Sequence, residues 1–79
     1  MSSFYNPEIK LTVVCKGDTE IIEVNADFSV RFLKDNIKNE FRLASTKAFY
    51  LECNGKKMAT RKQIKKYAQD GDTILVHMR

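Results

Sequence analysis

Within 79 residues the hydrophobic period changes twice, from two to about three and a half and back to two, and few folds accommodate that sequence of changes in so short a chain. Ile9, Leu11, Val13 and Cys15 alternate with other residues, the pattern of a strand that buries one face. Lys16-Gly17-Asp18 is a turn signal, and the following Glu20 to Val24 places Ile22 and Val24 inward, so the two segments read as a β-hairpin. Ser29 then stands where a side-chain oxygen caps a helix by accepting a first-turn N–H. Val30, Leu33, Ile37 and Phe41 follow at steps of three and four, while Arg31, Lys34, Asp35, Lys38 and Glu40 face solvent, which predicts an amphipathic helix of about 13 residues.

The period of two returns in Phe49, Leu51 and Cys53. Asn54-Gly55 reverses the chain, because both residues tolerate positive φ, and Met58 beyond it could continue a short return strand. Ile64 and Tyr67 suffice for one helical or 3₁₀ turn before Asp70-Gly71-Asp72 breaks the pattern. Ile74, Val76 and Met78 form a last strand. The order is β-β-α-β-short β-short helix-β, an α+β roll with one helix packed on a mixed sheet. Residues 1–7 are expected to be a flexible leader, and 8–79 a single domain. Phe32 falls off the helix stripe and reads either as a partner anchor or as a residue packing on that leader.

So small a domain depends on a dense core, and 43% hydrophobic residues with five Phe and three Tyr supply one. Cys15 and Cys53 lie in a chain with no apolar signal segment, which favours small core thiols in a reducing compartment, cytosolic or nuclear. No stretch approaches the roughly 18 apolar residues of a membrane span, so no membrane partner is expected. Catalysis finds no support: the one histidine, His77, has no cysteine partner, metal spacing or glycine-rich phosphate loop around it, and no cofactor or metal is implied.

From Ile9 to Arg79 the chain is similar to the ubiquitin-like family. The resemblance is carried by Leu51-x-Cys53-Asn54-Gly55-Lys56-x-Met58, then Ile64-x-x-Tyr67, then Asp70-Gly71-Asp72-Thr73-Ile74-x-Val76. It implies the ubiquitin-like β-grasp roll, with Tyr67 pinning the loop before the last strand through a hydrogen bond to backbone. Conjugating members end in a diglycine tail, whereas this chain ends at Arg79. It therefore reads either as a non-conjugating interaction domain, free-standing or part of a larger protein, or as a modifier processed from a longer precursor. Lys56 matches a lysine used for chain linkage in ubiquitin, which among many lysines says little.

Three surfaces are candidates for partner proteins, whether of the ubiquitin pathway or carrying acidic motifs, with the domain itself expected to be a monomer. The favoured one is the outer sheet face of Val14, Ile21, Tyr50, Glu52, Leu75 and His77, against a plain reading as scattered exposed residues. Glu52 is expected at the centre of the ubiquitin patch, where burying an unpaired acid costs several kcal/mol, so ordinary ubiquitin receptors should bind poorly. If His77 lies beside Glu52, its charge near neutral pH could modulate binding. The second is the strand-helix groove that accepts an added strand in SUMO-like relatives, here Ile21, Glu23, Arg31, Lys34 and Lys38, equally explained as a solvated helix face. The third is the acid-free basic run Lys56, Lys57, Arg61, Lys62, Lys65 and Lys66, in a chain of net charge +4. It suits phosphates or an acidic protein, but nucleic acid is the least favoured partner because no aromatics interleave for base stacking except Tyr67, assigned to the fold.

Overall fold

The computed structural model describes residues 6–79; the expected leader, up to residue 5, lies outside the described residues. Pro7, at the end of that leader, accepts the Ala26 N–H through its carbonyl (2.8 Å). Strand β1 (Glu8–Cys15) pairs antiparallel with β2 (Asp18–Asn25) along its whole length. Two residues, Lys16 at φ +52° and Gly17 at φ +83°, turn the hairpin, and positive φ at both centres matches the right-handed twist of the strands. The same device recurs at Asn54 (φ +54°) and Gly55 (φ +80°), between β3 (Phe49–Cys53) and β4 (Lys56–Lys57).

Strand β5 (Thr73–Met78) enters the middle of the sheet, parallel to β1 and antiparallel to β3, giving the order β2-β1-β5-β3-β4. Helix α1 (Val30–Glu40) covers one face. Its Val30, Leu33 and Ile37 are fully buried with Leu11, Val13, Leu51 and Ile74 from the strands. Ile22 and Val24 also point inward, and both cysteines are buried free thiols.

The two ends of α1 differ from expectation. Ser29 makes no side-chain capping bond. The first N–H groups of the helix instead donate to the loop before the 3₁₀ turn (Ile64–Lys66): Val30 to the Lys62 carbonyl (2.8 Å) and Arg31 to the Thr60 carbonyl (3.1 Å). Those donors must be satisfied by something, and here a distant segment supplies the acceptors. At the other end the helix stops two residues short of the expected length, as Arg42 adopts φ +54° and Leu43 N–H reaches back to the Lys38 carbonyl (2.9 Å). This is a Schellman closure without glycine, with Leu43 packed on the core beyond it. The Tyr67 hydroxyl accepts the Ala59 N–H (3.1 Å) and holds the loop between β4 and the 3₁₀ turn, a backbone bond of the kind the resemblance implied.

Candidate functional site: the outer sheet face

With the even-numbered residues of β5 turned toward α1, Thr73, Leu75 and His77 face the other way, and the register decides what each meets. Leu75 pairs with Val14 on β1 and with Glu52 on β3, while His77 pairs with Tyr50. Ile21 lies opposite Thr12, whose other partner is Thr73. The structure therefore gathers the expected face into one surface, with Ile21 at its β2 edge. Ile21 (71%) and Leu75 (40%) are the most exposed of its apolar members.

Glu52 is not an unpaired acid: it meets His77, the neighbour that the sequence left open. Its Oε1 lies 2.7 Å from His77 Nε2, both side chains being about one-third exposed. They are diagonal neighbours, since Glu52 faces Leu75 and His77 faces Tyr50 directly, and diagonal neighbours on a sheet face can touch when the side chains are long. The His77 ring also stacks on Tyr50, with centroids 4.8 Å apart and planes 18° from parallel. Lys57 Nζ and the Arg79 guanidinium stand 4.9 and 5.2 Å from the Tyr50 ring centre, close enough for cation–π attraction. The result is an ordered row, carboxylate to imidazole to phenol, beside an exposed leucine. A depression of about 380 Å³ runs from Leu75 and Glu52 toward Gly55 and Gly71. Asp72 at its rim is already engaged, accepting from Gln69 N–H (2.9 Å) and from the Asn54 side-chain amide (3.2 Å).

The five residues expected along the strand-helix groove do not come together in the structure. Lys34 and Lys38 point at β3, with Nζ atoms 5.0 and 6.0 Å from the Phe49 ring centre, and β1 and β5 separate β3 from β2. Arg31, three residues before Lys34, lies on the same flank. At about 100° per residue, the flank toward β2 carries Asn36 and Glu40 instead. Ile21 and Glu23 belong to the outer face, because Ile22 and Val24 between and beside them face the helix. The helix therefore offers no basic wall along β2.

The basic run is divided as well. Lys56 and Lys57 form the edge strand, Arg61, Lys62 and Lys66 are exposed beyond it, and Lys65 Nζ is paired with Asp27 Oδ1 at 2.9 Å. An acid absent from the run in sequence is thus brought to it by the fold. Phe32, 44% exposed, meets Phe28 edge to face at 4.7 Å, a pairing hidden in the sequence because Phe28 precedes the helix. Among the described residues no three His, Cys, Asp or Glu side chains gather where they could hold a metal ion. No helix among them is long and apolar enough to cross a membrane.

No protein-family model and no curated protein matches the chain in sequence. Solved structures do match. A protein from work on molecular mimicry of SUMO promoting DNA repair aligns over 95% of this chain and 96% of its own, at 19% identity and a TM-score of 0.83. The ubiquitin-like domain of an Arabidopsis thaliana protein aligns over 98% of this chain and 83% of its own, at 23% identity and a TM-score of 0.81. A de novo design based on ubiquitin aligns over 92% and 90%, at 17% identity and a TM-score of 0.81. At such identities the likeness is one of fold, and the fold is the ubiquitin-like β-grasp.

Proposed function

We propose that this ubiquitin-like β-grasp domain is a non-catalytic docking module that binds a partner protein through its outer sheet face. The observation that carries the reading is the Glu52–His77–Tyr50 row beside exposed Leu75. A hydrogen-bonded pair held in place by stacking is a directional recognition element, and the leucine next to it offers apolar area to bury. A partner with a flat apolar surface would strip water from the pair and return nothing for it. The fitting partner contacts Leu75 with an apolar side chain and donates a hydrogen bond to the Glu52 carboxylate, so it differs from a receptor built for an apolar patch. The reading includes a reducing compartment, cytosolic or nuclear, supported by two buried free thiols.

The test begins with capture from cell lysate by the wild-type domain, by a Tyr50→Ala, Leu75→Ala, His77→Ala variant, and by an Arg61→Glu, Lys62→Glu, Lys66→Glu variant. Each captured protein is purified and titrated against the isotope-labelled domain. The proposal expects binding lost in the sheet-face variant and kept in the charge-reversed one, with amide shifts centred on residues 50–52 and 75–77. Binding that survives the first variant and disappears in the second overturns it.

A further inference from the structure

The helix flank that turns away from β2 meets β3 and the end of β5, and there five cations from separate parts of the chain come together. Lys34 and Lys38 of α1, Lys47 before β3, Lys57 of β4 and Arg79 after β5 line one cavity of about 340 Å³. Phe49 and Tyr50 form part of its wall, and among the described residues no acidic side chain lines it. Only Lys57 of the five belongs to the basic run visible in the sequence.

Among the described residues none of the five lies in an ion pair, although the register sets Glu52 across from Lys57. Lys34 and Lys38 lie over the Phe49 ring, and Lys57 and Arg79 over the Tyr50 ring. Cation–π contacts of this kind hold a cation in place and leave its charge intact. Lys38 Nζ also donates to the Ser45 carbonyl (3.1 Å), and Arg79 N–H donates to the Ala48 carbonyl (3.2 Å), which ties both ends of the wall to backbone. Burial pushes the Lys34 ammonium below the usual lysine range, Lys38, Arg79 and Lys57 push it the same way, and Asp35 alone opposes them. Like charges crowded into a concavity raise the free energy of the unliganded domain, and an anion entering the cavity relieves that repulsion.

The size and number of charges narrow the ligand. A volume of 340 Å³ lies at the lower end of small-molecule sites, which span about 300–1000 Å³. One carboxylate would answer one of five cations, whereas a group with several phosphates carries enough charge in that volume and accepts hydrogen bonds from each lysine. We propose that the cavity between α1, β3 and the end of β5 binds a compact, phosphate-rich anion of small-molecule size. This second site adjoins the docking face along Tyr50 and Lys57, and both residues are left unchanged in the test.

Inorganic tripolyphosphate is titrated into the isotope-labelled full chain at about 0.15 M salt, where surface charges are largely screened. The expected result is saturable one-to-one binding, with amide shifts clustered at residues 47–50, 57–60 and 79. A Lys34→Gln, Lys47→Gln variant should bind at least about tenfold more weakly, while an Arg61→Gln, Lys62→Gln variant with the same loss of net charge binds as wild type. Should the first variant fail to fold by its amide spectrum, Lys47→Gln with Arg79→Gln gives the same comparison. Equal weakening in both variants, absence of saturation, or shifts confined to residues 61–66 overturns the proposal. So does tighter binding at the same amides by a phosphate-free acidic peptide or by a single-stranded oligonucleotide.

Discussion

Cys53 shows how one side chain acquires properties that its position in a strand does not reveal. Its thiol is 1% exposed and lies 3.9 Å from Asp72 Oδ2. Burial pushes it above its ordinary value of 9.0, and the Asp72 charge and hydrogen bond push it further the same way. The folded protein thus holds this proton where the unfolded chain releases it. The associated stability is fully present below pH 9 and is lost as pH rises through the raised value. Lys34, lowered on folding, works in the opposite sense below its ordinary 10.5. Denaturant midpoints measured from pH 7 to pH 10 should therefore fall more steeply above pH 9 in wild type than in Cys53→Ala. Parallel curves would show that Cys53 carries none of the alkaline loss. The Glu52–His77 contact belongs to the same scale: each residue was legible as a member of the outer face, but their meeting depends on which residues the register sets diagonally.

Among the elements, α1 was the plainest in sequence and the least self-sufficient in structure. Its apolar stripe is a local property, visible from spacing, and Val30, Leu33 and Ile37 are buried as that spacing requires. Its ends are not local. The start is closed by carbonyls some thirty positions away, and the stop is made by an arginine in a conformation that favours glycine. A left-handed residue other than glycine costs about 1–2 kcal/mol in conformational energy, partly offset by the greater freedom glycine has in the unfolded chain. Arg42→Gly should consequently raise stability by about 0.5–1 kcal/mol, measured by urea unfolding. A decrease would mean that the Arg42 side chain contributes more than its backbone costs. The hairpin turns lie at the other extreme: Lys16-Gly17 and Asn54-Gly55 were readable because positive φ at adjacent residues is a requirement of the turn itself.

The whole molecule depends on β5, the last strand in sequence and the middle one in space. It separates β1 from β3, and the parallel β1–β5 pairing joins the two ends of the chain across the sheet. Removing residues 73–79 would leave two hairpin-sized fragments with no shared ladder, and such fragments are marginal in water. The truncated chain should lose cooperative thermal unfolding and amide dispersion together, as circular dichroism and NMR would show. A cooperative transition in that truncation would mean that α1 alone unites the remaining strands. The order of elements, the inward residues of each strand and the buried stripe of the helix were determined by the sequence alone, because side-chain period and turn chemistry act over a few neighbouring residues. The helix caps, the Glu52–His77 pair, the Lys65–Asp27 pair and the five-cation cavity were decided only by tertiary structure, since each joins residues that the chain keeps far apart and only the packed sheet and helix bring within reach.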